Sequence, residues 1–240
     1  MTHAPAFPSG ASVSELEVYS STAPDGLAGG TPHLHTVASE AYLVIAGAGE
    51  LHAVDASGAS VTPLTAGDTV WFTPGVVHRA VNLGGLRVRV VMSHAGLPEA
   101  GDAVMTFPDD VLADPEAYAA AAALPGPESS HDARLAAAAR RRDLAVEGYA
   151  ALAPGGVVDP DALARLYRRA VALVRPRIGG WTDTWRRAHE GATRATETQL
   201  AALAQGEPGS LAAGRIGHPQ TSPAYGMCGL LTTIAYEGEL

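Results

Sequence analysis

The stretch between Gly29 and Asn82 constrains the fold of this chain more than any other part of the sequence. Short apolar and β-branched runs alternate there with turns that contain Gly or Pro, at intervals of about 8–12 residues. This pattern is typical of an all-β sandwich or barrel. The same stretch contains three histidines and one glutamate close to the predicted strands: His33, His35, Glu40 and His78.

Six segments have the composition of short strands, and we predict strands at 13–20, 41–46, 50–55, 61–64, 69–73 and 86–94. Gly47-Ala48-Gly49 separates the second segment from the third, which predicts a β-hairpin. Alternation along the last segment places Val88 and Val90 inside the barrel. Trp71 and Phe72 are predicted to lie in the core.

The spacing of the four polar residues predicts a metal site. Side chains two residues apart on a strand point to the same face, so His33 and His35 can grip one ion together. Glu40 begins the next strand and can add an oxygen ligand. His78 follows a Pro-Gly turn and can reach the same point, because inward positions of different strands meet inside a closed barrel.

These residues resemble the two signature motifs of the cupin superfamily. The first reads His33-x-His35, four residues, Glu40, six residues, Gly47. The second reads Gly67, five residues, Thr73-Pro74-Gly75, two residues, His78, three residues, Asn82. The family often has Pro where this chain has Thr73, a position that shapes the turn and does not bind metal. The resemblance covers residues 13–95 and is closest to single-barrel, type-2 cupins.

The resemblance implies a cupin β-barrel, a double-stranded β-helix or jelly roll, whose metal ligands are His33, His35, Glu40 and His78. Three imidazoles and one carboxylate leave one or two positions open on a six-coordinate ion, which suits Fe(II), Mn(II), Ni(II), Cu(II) or Co(II). Zn(II) can occupy such a set as a tetrahedral site. Some family members have lost the ligands, and a purely structural barrel is the alternative.

The family most often implies an Fe(II) oxygenase, with substrate and dioxygen at the open positions of the ion. The second hypothesis is a redox-neutral isomerase, cyclase or lyase that uses the metal as a Lewis acid. The third is a non-enzymatic barrel that binds or senses a small molecule. The predicted interior is mainly small and apolar, which favours an apolar or aromatic substrate.

Two further residues are candidates for catalysis, His94 and Tyr42. Strand alternation places His94 at the inward end of segment 86–94, where it could act as an acid or base; the alternative is a histidine exposed at the rim. Tyr42 shares its strand face with Glu40 and could bond a substrate, although a buried core tyrosine is an equal alternative.

The character of the chain changes after residue 97. We predict a flexible N-terminus at 1–12, the barrel at 13–97, a linker at 98–108 and a helical region at 109–240. Helices are expected at 109–124 and 130–151, then from Asp159-Pro160, and from Thr182 or Asp183 to about residue 205. Arg140, Arg141 and Arg142 are expected in solvent. Residues 218–225 read as a loop, and 229–236 as a strand that can return to the sheet.

Aromatic and basic residues cluster where the last helix is expected to begin, and they could form a lid over the barrel mouth, a dimer contact or ordinary helix packing: Trp181, Trp185, Arg186, Arg187 and His189. Many cupins pair through edge strands, so the resemblance also implies a homodimer.

Composition excludes several other classes of function. The net charge of −9 argues against a nucleic-acid surface. The chain has no apolar run of about 18 residues, as a membrane span requires, and its first residues do not resemble a secretory signal. One cysteine, Cys228, fits a reducing cytoplasm. The sequence therefore predicts a cytoplasmic protein with a small-molecule partner.

Overall fold

The computed structural model describes residues 10–214, 216 and 220–235. Residues 1–9, most of the N-terminus that the sequence predicts to be flexible, lie outside the described residues, as does Tyr236. The strands are β1 Ser12–Val18, β2 His33–His35, β3 Glu40–Asp55, β4 Gly58–Thr65, β5 Thr69–Phe72, β6 Val77–Met92, β7 Ala103–Met105, β8 Gln220–Tyr225 and β9 Gly229–Ala235. The helices are α1 Asp109–Ala113, α2 Pro115–Ala122, α3 His131–Ala150, α4 Pro160–Val174 and α5 Ile178–Ala204. Short 3-10 turns lie at Pro154–Gly156, Arg175–Arg177 and Gly209–Ala213.

Two long strands, β3 and β6, organise the antiparallel sheet. They pair with each other along most of their length, and each changes its other neighbour part-way. β3 pairs first with β5 and then with β4, whereas β6 pairs first with β2 and then with β1. Side chains from β1, β3, β4, β5 and β6 meet in one buried cluster, so the sheet wraps around an interior that we call the barrel.

The hairpin predicted at Gly47-Ala48-Gly49 is wrong, because β3 runs through it without a turn. The register with β6 shifts between Val44 and Gly49, which marks bulges. Gly47 has a φ of 72°, and a Cβ there would lie 2.2 Å from the Gly85 carbonyl oxygen. The glycines therefore allow the two backbones to approach closely and the strand to bend, a common role of glycine inside strands.

Residues on the two faces of the barrel sheet have different surroundings. Val88 and Val90 lie in the interior, as alternation along β6 predicts. Trp71 was expected in the core but is 75% exposed, while Phe72 is buried. Neighbouring residues on a strand point to opposite faces, so only one of the two can lie inside. A second core, which includes Leu34 of β2, lies between the barrel and the helices.

The sheet extends beyond the barrel boundaries that the sequence suggests. The expected linker at 98–108 contains β7, which pairs with β2. The expected loop at 218–225 contains β8, which pairs with β9, and β9 pairs with β1. Pro223 fits this position because β8 is at an edge of the sheet, where a residue without an N–H is tolerated.

The helical region departs from the sequence prediction at two points, the division of 109–124 and the start of the last helix. Pro115 starts a new helix, α2, with Asp114 as its cap, so residues 109–124 form two helices. Asp159 caps α4 and Pro160 is its first residue, as predicted. The last helix begins at Ile178, earlier than Thr182, since a 3-10 turn joins it directly to α4. Pro176 is tolerated in the first turn of a helical segment because the N–H that it lacks would have no partner there.

Two of the three arginines expected in solvent are buried. Arg142 donates hydrogen bonds to the carbonyl oxygens of Ser21 and Thr22, and Arg141 donates to the carbonyl oxygen of Gly226. These contacts join α3 to loops beside β1 and β9. None of the described helices is long and apolar enough to cross a lipid bilayer.

Candidate metal centre

The four predicted ligands come together inside the barrel. His33 and His35 lie on β2, Glu40 is the first residue of β3, and His78 lies at the start of β6 directly opposite His33. All four side chains are buried, and one ligand atom from each lies within 4.8 Å of the others. Three short stretches of the sheet therefore place three imidazoles and one carboxylate around a common point.

Hydrogen bonds on the far side of each ring fix the three imidazoles. His33 Nδ1 donates to the Thr31 carbonyl oxygen at 2.9 Å, and His78 Nδ1 donates to that of Val76 at 3.1 Å. His35 Nδ1 lies 2.7 Å from a carboxylate oxygen of Asp102. Because these acceptors hold a proton at Nδ1, Nε2 is the nitrogen of each ring that is left to bind a metal.

Two buried atoms at the centre have no hydrogen-bond partner among the described residues, Glu40 Oε2 and His78 Nε2. Glu40 Oε2 lies 3.2 Å from His35 Nε2 and 3.3 Å from His78 Nε2, but neither contact has hydrogen-bond geometry. Buried polar atoms normally have a partner. A cation between these atoms would supply one, so the residues fit a divalent metal ion.

The electrostatics of the site also favour a cation. Burial and the neighbouring His78 and His35 hold the pKa of His33 well below its usual value, so this ring is neutral. Burial opposes ionisation of Glu40, but its contacts with His35 and His78 hold the pKa of this carboxyl well below its usual range. Burial would lower the pKa of His35, yet Asp102 and Glu40 raise it to about 10. Two carboxylates thus favour a positive charge beside His35 Nε2, whether a proton or a metal ion.

Comparison with known families decides the nature of this part of the chain. Residues 20–94 match the family Cupin_2, described as "Cupin domain". These residues are a cupin domain. The cupin domain is followed by a helical region, and the match does not extend into that region.

Three solved structures are similar to part of this chain. Pac13 of Streptomyces, described as a nucleoside dehydratase, is 16% identical, with 41% of this chain and 70% of that chain covered and a TM-score of 0.32. A conserved Klebsiella pneumoniae protein with a double-stranded β-helix domain is 24% identical, with 38% and 72% covered and a TM-score of 0.28. An oxalate decarboxylase variant of Bacillus subtilis is 20% identical, with 44% and 28% covered and a TM-score of 0.36. At these TM-scores none of the three bears on the activity of this chain. No curated protein sequence matches the chain.

Asp102 belongs to the site but escaped prediction from the sequence. It lies in the segment expected to be a linker, directly before β7, and it is completely buried against His35. The available signal was an acidic residue at the start of the apolar run Ala103–Met105. That signal is weak without knowledge that β7 pairs with β2.

His94 is not among the four residues whose ligand atoms converge in the candidate metal centre. It follows the end of β6 with a φ of 63°, and its Nδ1 lies 2.9 Å from Nε2 of His189 on α5. Trp185 packs against His189 with a ring separation of 5.7 Å. The role of His94 as an acid or base stays a prediction, and its ring is engaged by α5.

Tyr42 lies in the barrel interior on the same face of β3 as Glu40. It is fully buried, its ring is edge-on to Phe72, and its hydroxyl is 4.0 Å from the Cys228 sulfur. Burial raises the pKa of Tyr42 well above its usual value, so the hydroxyl stays protonated. Phe72 in turn packs against the His78 ring at 4.2 Å. These aromatic rings form an apolar wall beside the ligands.

Proposed function

We propose that the cupin domain holds one divalent transition-metal ion through His33, His35, Glu40 and His78, and that the chain is a metal-dependent enzyme acting on a small molecule. The convergence of four buried ligand atoms, two of them without a hydrogen-bond partner, supports this proposal most strongly. Bound there, such an ion supplies Lewis-acid or redox chemistry to a substrate at its open positions.

The surrounding residues orient the ligands and exclude water. The Thr31 and Val76 carbonyl groups and Asp102 hold the three imidazole rings. Tyr42 and Phe72 cover the centre with apolar surface, and the protonated Tyr42 hydroxyl donates to the Cys228 sulfur at 4.0 Å. An interior of this kind suits an apolar or aromatic substrate better than a highly charged one.

The finer proposal is an Fe(II)-type oxygenase. A redox-neutral isomerase, cyclase or lyase needs a group that accepts a proton from the substrate. The described residues that pack beside the ligands offer poor bases, because burial raises the pKa of the Cys228 thiol to about 11 and keeps Tyr42 protonated. His94 is turned to His189. We therefore favour redox chemistry at the metal over proton transfer by the protein.

Metal binding is tested by anaerobic reconstitution with Fe(II), followed by elemental analysis of the washed protein. We expect about one equivalent in the wild-type chain and none in His35→Ala, because removal of one ligand opens the buried centre. His52→Ala is the matched control, since His52 also lies on a barrel strand but bonds Glu50 instead. A wild-type chain that binds no divalent ion overturns the proposal.

Oxygen uptake separates the two types of chemistry. The Fe(II)-loaded chain is mixed with a panel of apolar and aromatic small molecules in an oxygen electrode. Substrate-dependent oxygen uptake supports the oxygenase, and conversion of a substrate without oxygen uptake supports the redox-neutral alternative.

The homodimer is also a proposal. Large apolar side chains on the outer face of β3 and β5, Leu43, Ile45 and Trp71, are exposed, as is common at protein interfaces. Light scattering of the purified chain gives the oligomeric state directly.

A further inference from the structure

Asp102 makes a pair of hydrogen bonds that only a carboxylate can accept. One oxygen lies 2.7 Å from His35 Nδ1, and the other accepts from the Ala38 backbone N–H at 2.9 Å. An asparagine at this position has one acceptor oxygen, so its NH2 group would face one of the two donors. Burial of an ionised carboxylate is costly unless it is paired and hydrogen-bonded, and this one is both.

One donor belongs to a predicted metal ligand, and the other to the loop that follows it. His35 is itself a ligand, while Ala38 belongs to the four-residue loop that connects His35 to Glu40. The Asp102 carbonyl oxygen also accepts from the Thr36 N–H and hydroxyl group in the same loop, at 3.0 and 2.9 Å. One residue therefore holds both the ring of His35 and the path of the chain to Glu40.

We propose that Asp102 is a positioning residue for the metal centre. It keeps the His35 ring turned so that Nε2 faces the ion, and it fixes the loop that places Glu40. Carboxylate–histidine–metal arrangements of this kind orient the ligand and make it a stronger donor. This inference rests on the proposed metal site, but the hydrogen bond itself does not depend on an ion.

Asp102 also gives the helical region a part in the metal centre. It lies outside residues 20–94, the part of the chain that matches a cupin domain. Its segment is held on both sides, because Leu97 and Val104 are buried in the core shared with the helices. Arg177, just before α5, donates to the Gly101 carbonyl oxygen at 3.3 Å. The helices thus hold the segment that supplies Asp102.

The test compares Asp102→Asn with the wild-type chain, using Co(II) as the probe. Calorimetry gives the affinity, and visible absorption reports the geometry around Co(II). We expect Asp102→Asn to bind Co(II) about 10–100-fold more weakly, with a shifted absorption band. A matched control is Asp68→Asn, because Asp68 also accepts two hydrogen bonds but in an exposed turn. The control should bind Co(II) like the wild type.

An unchanged Co(II) affinity and spectrum in folded Asp102→Asn overturns the inference; thermal unfolding of the metal-free variant establishes that it is folded. If the variant does not fold, NMR of the wild-type chain decides. A downfield, slowly exchanging His35 Nδ1 proton, assigned by its loss in His35→Ala, supports the hydrogen bond, and its absence contradicts it. A wild-type chain that binds no Co(II) overturns the proposed function, while the same proton still tests Asp102.

Discussion

The molecule contains two histidine clusters whose ring nitrogens face different partners. In the candidate metal centre, each Nδ1 is hydrogen-bonded to a carbonyl or carboxylate oxygen, and Nε2 of His35 and of His78 faces Glu40. In the second cluster, His94 Nδ1 faces His189 Nε2, so the two rings use their nitrogens on each other. Proximity of histidines therefore does not make a metal site. The candidate metal centre differs because hydrogen bonds at Nδ1 orient its rings and the Glu40 carboxylate supplies negative charge.

The largest expected difference between the two clusters is the loss of folding stability when an aromatic neighbour of each is removed. Phe72 is buried against His78, whereas Trp185 packs on His189 but is 42% exposed. Phe72→Ala should lower the free energy of unfolding by about 3–5 kcal/mol, since it leaves a cavity in the barrel. Trp185→Ala should cost less than about 1 kcal/mol, because a partly exposed side chain leaves a smaller cavity. Urea unfolding measures both values.

Equal losses in the two variants would contradict the comparison, because they would mean that α5 is held as firmly as the barrel wall. Trp71→Ala is the control for Phe72→Ala. It removes the adjacent but exposed aromatic residue from the same strand, and it should change stability by less than about 0.5 kcal/mol.

Metal binding at the candidate metal centre should stabilise the folded chain, and this stabilisation should not require the His94–His189 cluster. A ligand present at about 100 times its dissociation constant stabilises the native state by about 2.7 kcal/mol, which corresponds to about 5–11 °C in a chain of this size. We expect this rise in the midpoint of thermal unfolding when Co(II) is added, and its reversal by a chelator. His94→Asn should show the full rise and His78→Ala none. If His94→Asn abolished the rise, the metal would bind at His94 and His189, and the proposed site would be wrong.

The candidate ligands could be predicted from the sequence because strand geometry fixes them locally. His33 and His35 share a face whatever the rest of the chain does, and His78 follows a recognisable turn. Asp102 could not be predicted in this way, because it is 67 residues from His35 in sequence and meets it only when β7 pairs with β2. Its identity depends on tertiary structure, which local pattern does not contain.

The same difference between local pattern and distant contacts explains the errors in the predicted fold. Alternation correctly placed Val88 and Val90 inside, since it is a local property of a strand. The interpretation of Gly47 as a turn residue was wrong. Gly47 lies inside β3, where the absence of a side chain lets the backbone approach Gly85 on β6. Arg142 looked like a solvated residue, yet carbonyl groups of a distant loop bind its guanidinium. Residues with distant partners are those that the sequence describes least well.

The smallest expected effect is the pH dependence of folding stability that comes from His94 in the second cluster. Burial and the neighbouring His189 lower the pKa of His94, although Asp102 acts in the opposite direction. The unfolded chain, with a histidine pKa of about 6.5, then binds more protons than the folded chain below that pH, so His94 costs stability as pH falls. His94→Asn removes this titration and tolerates the positive φ. Urea unfolding at about pH 7.5 and about pH 5.5 should show a smaller loss on acidification in the variant than in the wild type. Parallel losses would mean that the contact with α5 does not respond to protonation, and that the two clusters differ in geometry alone.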